Sequence, residues 1–156
     1  MSPKGETAGV VVPPPLLYVG GFLVGLALDW LLPLGRLPRS RFLMAVGIAL
    51  LLVQLPLGVA AFRAMRRAGT QVNPYKPTTA MVTSGAFRIS RNPIYLSFTL
   101  LYLGLVLLLG TVWPLCLLVP VLVVMQRGVI VREEQYLEGK FGDAYRRYRE
   151  RVRRWF

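Results

Sequence analysis

Apolar residues gather into four long stretches along this chain, and polar and charged residues gather between them. The stretches cover residues 16–33, 42–62, 93–109 and 112–131. Each is near the ~20 residues that an α-helix needs to cross ~30 Å of hydrocarbon. Only Gly110 and Thr111 separate the last two, so these two must form a tight antiparallel hairpin. The pattern predicts an all-α integral membrane bundle of about four transmembrane helices.

The tail after the fourth stretch changes from apolar to amphipathic. Its apolar and aromatic residues recur at spacings of three and four, and its arginines fall mostly on the rest of the circumference. These residues are Leu137, Phe141, Tyr145, Tyr148, Val152 and Trp155. The spacing predicts an interfacial helix along the lipid headgroups, interrupted early by Gly142, which either roofs a site or anchors the tail.

Composition agrees with a membrane protein that forms one domain. The chain of 156 residues is 54% hydrophobic with a mean hydropathy of +0.52, which is too apolar for an ordinary soluble domain. No linker-like segment divides it, so residues 1–156 are predicted to be a single domain. The net charge of +12 lies beside the apolar stretches. That placement favours membrane lipids as partners over nucleic acid.

The distribution of basic residues predicts the orientation. With four spans, the N-terminal tail, residues 63–92 and the C-terminal tail share one face. Residues 63–92 contain six basic residues and nine more follow from Arg127, whereas the first turn on the opposite face contains Arg36, Arg39 and Arg41. Because Lys and Arg are retained on the inner side, we expect both termini to be cytoplasmic. Lys4 precedes the first stretch, which we interpret as a retained helix rather than a cleaved signal.

Cysteine and histidine usage excludes several kinds of chemistry. The lone Cys116 lies within an apolar stretch, so no disulfide framework is expected and a structural zinc site cannot be assembled. Histidine is absent, which excludes Ser-His and Cys-His nucleophile pairs and His-ligated metals. We therefore predict no metal site.

Small and acidic residues mark special positions in the first stretch. Gly21 and Gly25 form a GxxxG pair that lets two helix backbones approach closely, and packing within the same bundle is favoured over a dimer interface. Asp29 is the only acid within an apolar stretch, which makes it a functional candidate. Its position beside Trp30 near the end of the stretch equally predicts an interfacial contact with headgroups or an arginine.

The start of the third stretch is suited to binding an anion. Asn92 is a favoured N-cap and Pro93 a favoured first helical residue, so the early backbone N–H groups of this helix lack partners. These donors and the helix dipole can receive a carboxylate. Arg88 and Arg91 come just before this point and Tyr95 just after it, although arginine and tyrosine are also ordinary anchors at a membrane boundary.

Two adjacent carboxylates, Glu133 and Glu134, follow the fourth stretch. Carboxylates beside a membrane require cations or hydrogen-bond donors, and the arginines that precede the third stretch are the nearest supply. A purely structural cluster of salt bridges would also meet this requirement.

As an ordered set, these residues resemble the integral-membrane methyltransferases, a group that includes isoprenylcysteine carboxyl methyltransferases and phospholipid methyltransferases. The resemblance covers residues 83–156. It comprises Gly85-x-Phe-Arg-x-x-Arg-Asn-Pro-x-Tyr95, an apolar hairpin, Glu133-Glu134-x-x-Leu137, Phe141-Gly142, Tyr145-x-x-Tyr148 and Val152. The family usually has His where Asn92 stands and Gly where Ser97 stands.

The resemblance implies a helical bundle that binds S-adenosylmethionine at the cytoplasmic boundary and transfers its methyl group to a lipophilic or amphiphilic acceptor. It implies a cofactor pocket formed by Arg91, Asn92, Pro93, Tyr95 and Leu96 on one side and by Glu133 and Glu134 on the other. Arg88 or Arg91 would position an anionic group of donor or acceptor. A sulfonium donor is already activated, so transfer needs alignment and a dry site more than acid-base groups.

The sequence leaves several questions open. An isoprenylcysteine-like carboxylate, a phospholipid amine and a small hydrophobic thiol or acid are alternative acceptors. A non-enzymatic four-helix scaffold, or a small transporter that uses Asp29, is the alternative to an enzyme. The oligomeric state does not follow from the sequence.

Overall fold

The computed structural model describes residues 7–155, so Lys4 and the two ends of the predicted 1–156 domain lie outside the described residues. Within that range, six α-helices follow one another: α1 Pro14–Leu31, α2 Arg41–Arg67, α3 Pro93–Leu109, α4 Trp113–Val124, α5 Val131–Phe141 and α6 Asp143–Arg151. A π-helical turn, Met125–Ile130, joins α4 and α5 into one helix, and a short 3₁₀ turn, Gly85–Arg88, precedes α3.

The predicted all-α membrane bundle is confirmed. Three helices, Pro14–Leu31, Arg41–Arg67 and Trp113–Phe141, are long and apolar enough to cross a membrane, and Pro93–Leu109 is a shorter apolar helix. The bounds of the third stretch agree with α3, whereas α2 continues five residues beyond the predicted end at Phe62. The continuation carries Arg63, Arg66 and Arg67, whose polarity hides a helix from a hydropathy pattern.

Close packing between α1 and α4 depends on the two glycines of the first stretch. A Cβ placed on Gly25 would lie 2.6 Å from Cα of Pro114, and a Cβ on Gly21 would lie 2.5 Å from Cγ2 of Val121. The GxxxG pair therefore packs inside the bundle, as predicted. On the other side of the bundle, α2 packs along α3.

The two short connections meet at one end of the bundle. Gly110 ends α3 in the left-handed conformation, with φ of +67°, which allows the tight turn into α4. The backbone N–H of Leu37 donates to O of Gly110 at 3.0 Å, and Nη1 of Arg36 donates to O of Leu109 at 3.2 Å. The first connection is thereby fastened to the hairpin turn, so the first and second turns share a face.

Aromatic and aliphatic side chains from α1, α3 and α4 form the core. Tyr102, Met125 and Val129 are buried there, and the ring of Phe22 meets that of Tyr102 edge-on at 5.1 Å. The hydroxyl of Tyr102 donates to O of Pro114 at 2.8 Å. Without that bond, the Tyr102 hydroxyl would be buried without a hydrogen-bond partner.

The helix of the tail is amphipathic but shorter than its sequence pattern suggests. Gly142, with φ of +53°, separates α5 from α6, as predicted. The helix ends at Arg151, and Val152 is extended, with φ of −120° and ψ of 127°. Val152 and Trp155 therefore do not belong to the helix, and Trp155 packs against the core of the bundle.

Candidate functional site

A cavity of about 140 Å³ lies at the end of the bundle opposite the short turns. Its walls come mainly from the start of α3, from α5 and α6, and from the connection of residues 68–92, and Met65 of α2 and Ala8 complete the lining. The predicted site residues Arg91, Asn92, Pro93, Tyr95, Glu133 and Glu134 all line it, which brings the start of the third stretch and the end of the fourth together. The apolar helices thus support a pocket whose walls combine polar and apolar side chains.

Tyr95 and Glu133 contact each other in the wall of this cavity. The hydroxyl of Tyr95 donates to Oε1 of Glu133 at 2.6 Å. Within residues 7–155, no lysine or arginine forms an ion pair with Glu133. Glu133 can therefore receive a cation or a hydroxyl donor from a ligand.

Glu134 has a different environment, because two arginines share its carboxylate. Nε and Nη2 of Arg154 donate to its two oxygens at 2.9 and 2.6 Å, and Nη2 of Arg91 lies 3.4 Å from Oε1. Glu134 is 8% exposed. A carboxylate this buried requires such partners, so Glu134 organises the arginines of the site.

Arg91 retains free hydrogen-bonding capacity in the cavity wall. Its side chain is only 10% exposed. Its Nε and Nη1 atoms are buried and form no hydrogen bond of good geometry among the described residues, although the guanidinium lies close enough to the Tyr145 hydroxyl to act on it. Buried donors without partners are costly, and an anionic group in the cavity would satisfy both of them.

Asn92 stands at the N-cap position of α3, but its side chain does not cap the helix. Its Nδ2 instead donates to O of Arg154 at 3.1 Å, and its backbone N–H donates to Oγ of Ser90 at 3.1 Å. The predicted start of α3 at Pro93 is correct, and the expected capping bond is replaced by a contact with the tail.

Two tyrosines of α6 close the cavity from the tail. The hydroxyl of Tyr148 donates to O of Phe87 at 2.7 Å, which ties α6 to the connection before α3. Burial and the nearby Glu134 carboxylate raise the pKa of Tyr145 to about 12, with Arg91 opposing the shift. Tyr145 is therefore a neutral side chain in the site, and α6 takes the roofing position that was one of its two predicted roles.

Three residues singled out by the sequence lie away from the cavity. Arg88 is exposed at the end of the 3₁₀ turn and does not line the cavity. Leu96 points to a neighbouring groove. Asp29 lies near the end of α1 at the opposite end of the bundle, where its Oδ1 is buried without a hydrogen-bond partner among the described residues.

The neighbouring groove runs along the outside of the bundle between α3 and the α4–α5 helix, and its volume is about 600 Å³. Its lining is mainly apolar, with Thr99, Gln126 and Arg127 as its polar members. Val119 and Val123, also in the lining, are 64% and 46% exposed. In a membrane this groove therefore faces the lipid.

Sequence reasoning missed Arg154 and the connection that forms one wall. In the sequence, the arginines of the tail have the spacing of a polar helix face. No Gly or Pro signals the end of the helix at Arg151. Thr70, Val72 and Met81 of the connection line the cavity, but this irregular segment has no periodic pattern. If two adjacent carboxylates are buried beside one arginine, another cation is required near them. That requirement was the available signal for Arg154.

Fold and cavity together define a helical membrane protein with a polar site at one end of its bundle. The phospholipid methyltransferase family matches residues 42–144, and the chain belongs to this family. The family implies a methyltransferase that acts on a lipid-related substrate. An uncharacterized protein of Haemophilus influenzae is 45% identical over 62 residues, which are 40% of this chain and 98% of that protein. No solved structure matches this chain significantly.

Proposed function

We propose that this protein transfers the methyl group of S-adenosylmethionine to a lipophilic or amphiphilic acceptor at the cytoplasmic boundary of the membrane. The observation that carries the proposal is Arg91, whose two unpaired buried donors lie in the wall of the same cavity as the uncompensated Glu133 carboxylate. A ligand that bears both a carboxylate and cationic or hydroxyl groups complements this arrangement.

The residues present fit the cofactor. Nε and Nη1 of Arg91 would hold its carboxylate through charge-assisted bonds. Glu133 would attract its ammonium or sulfonium charge or accept from ribose hydroxyls, and Tyr95 would keep the Glu133 carboxylate oriented. Val72 and Met81 offer apolar wall for a nucleobase. S-adenosylmethionine supplies an activated methyl group, so the chain's own task is to orient the two reactants and exclude water.

The lateral groove supports a lipid-soluble acceptor. Leu96 lines the groove and Tyr95 lines the cavity, so neighbouring residues of α3 border both spaces. An apolar chain in the groove would remain in contact with lipid while its head approaches the cavity. Arg127, which is exposed beside the groove, favours an acceptor with an anionic group near its head.

The cytoplasmic placement is supported by charge. The cavity lies at the end of the bundle that contains the six basic residues of segment 63–92 and the nine that follow from Arg127. Positively charged segments of this kind are retained on the inner side of a membrane.

Titration of the purified protein in detergent with S-adenosylmethionine tests the proposal. We expect saturable binding that S-adenosylhomocysteine competes for, and transfer of a radiolabelled methyl group to a fraction of host lipid. Arg91→Gln should weaken binding by about 10- to 100-fold, because a hydrogen bond to a charged group contributes about 1.5–3 kcal/mol. Glu133→Gln, which can still accept from Tyr95, should also weaken it.

Arg88→Gln is the matched control, since Arg88 lies three residues before Arg91 but outside the cavity. It should bind the cofactor as the wild type does. Absence of binding in a folded wild-type sample would favour the non-enzymatic scaffold and refute the proposal.

A further inference from the structure

The described chain ends in an irregular strap, residues 152–155, that crosses the start of α3. Its backbone is fastened there by three hydrogen bonds. O of Arg153 accepts from the backbone N–H of Arg91 at 3.0 Å, and O of Arg154 accepts from Oγ of Ser90 at 3.0 Å and from Nδ2 of Asn92 at 3.1 Å. The strap is thus held by the residues that lead into the site.

The side chain of Arg154 makes more contacts with the Glu134 carboxylate than Arg91 does, and shorter ones. Arg154 bonds both carboxylate oxygens, whereas Arg91 makes one longer contact of 3.4 Å through Nη2. Two guanidinium groups and one carboxylate leave a net charge of +1 in this cluster. The surplus charge lies on Arg91, whose Nε and Nη1 remain unpaired.

We propose that Arg154 is a positioning residue that keeps Arg91 available for the carboxylate of the methyl donor. This inference rests on the proposed function. A buried carboxylate requires a cation, and a guanidinium fork matches a carboxylate with two parallel bonds. Without Arg154, Arg91 would turn its fork onto Glu134, and the pair would become neutral. The cavity would then lose its anion-binding group although Arg91 itself is unchanged.

Binding of two related ligands to Arg154→Gln tests the inference in the full chain. The ligands are S-adenosylmethionine and its decarboxylated form, which lacks the carboxylate that Arg91 would hold. We expect Arg154→Gln to weaken binding of the first by about 10- to 100-fold and of the second by less than about threefold. Arg153→Gln is the matched control, because Arg153 is an exposed neighbour in the strap that contributes only its backbone carbonyl.

A second variant keeps the test decisive if Arg154→Gln does not fold. Arg154→Lys retains the charge but not the fork, so it should show the same selectivity for the carboxylate with a smaller loss. Equal losses for both ligands, or no loss for either, would overturn the inference. A wild-type protein that binds neither ligand would instead refute the proposed function.

Discussion

Removing the Glu134 carboxylate should destabilise the protein far more than removing a similar carboxylate one helical turn later. In Glu134→Ala, Arg91 and Arg154 lose their shared partner. The side chain of Arg91 is 10% exposed and cannot reach bulk water without rearrangement, whereas that of Arg154 is 34% exposed and can be solvated. Breaking a buried pair from one side costs about 3–5 kcal/mol, and the exposure of Arg154 places the expected loss near about 3 kcal/mol.

Glu138→Ala is the matched control. Glu138 lies on the same helix, accepts from Nη1 of Arg149 at 2.7 Å and lies 3.8 Å from Nη1 of Arg146, but its side chain is 30% exposed, against 10% for Glu134, and these two arginines are 43% and 51% exposed. Loss of such a surface pair costs less than about 1 kcal/mol. The assay is reversible unfolding in mixed micelles with increasing dodecyl sulfate, followed by circular dichroism. Equal losses for the two variants would refute the assignment of Glu134 as the buried centre of the arginine cluster.

Three further predictions test the bundle, the groove and the cavity. Gly25→Ala should destabilise the protein by about 1–3 kcal/mol in the same unfolding assay, because its Cβ meets the backbone of α4. Gly20→Ala should not destabilise it, because a Cβ at Gly20 meets nothing within 4 Å. Arg127→Gln should raise the KM for an anionic lipid acceptor by about 5- to 10-fold, since it removes one exposed charge. The cofactor Kd should stay unchanged, and a changed Kd would contradict this prediction. Arg91→Gln should abolish most methyl transfer from labelled donor and Arg88→Gln should retain it, and comparable activities would contradict the placement of the cavity.

Local signals in the sequence explain why some elements were predicted well. The bounds of α3 are set by Asn92-Pro93 at its start and Gly110 at its end, and both signals act through the backbone of the residues themselves. Gly21 and Gly25 predicted a close helix contact because only small residues permit one.

Features that depend on contacts between distant residues did not follow from the sequence. The strap leaves α6 at Val152 without any local signal and is held in place by residues about sixty positions earlier in the chain, such as Ser90. Arg88 and Arg91 look equivalent in the sequence. They are three residues apart in a turn, where side chains point in different directions, and of the two only Arg91 lines the cavity. The sequence pattern therefore located the site without distinguishing the arginine that forms it.

The length of the last long helix agrees with the proposed meeting of a water-soluble and a lipid-soluble reactant at the candidate site. The helix Trp113–Phe141 has 29 residues, which at 1.5 Å per residue is about 43 Å, whereas the hydrocarbon layer is about 30 Å thick. If Trp113, a residue type favoured at membrane boundaries, marks one boundary, the other lies about twenty residues later, near Glu133. Arg127 then lies about 9 Å inside the hydrocarbon, close enough for its side chain to extend toward the headgroups. Glu133 and Glu134 would then stand at the boundary itself, and under the proposed function a charged donor would enter from the aqueous side while an apolar acceptor stays in the lateral groove.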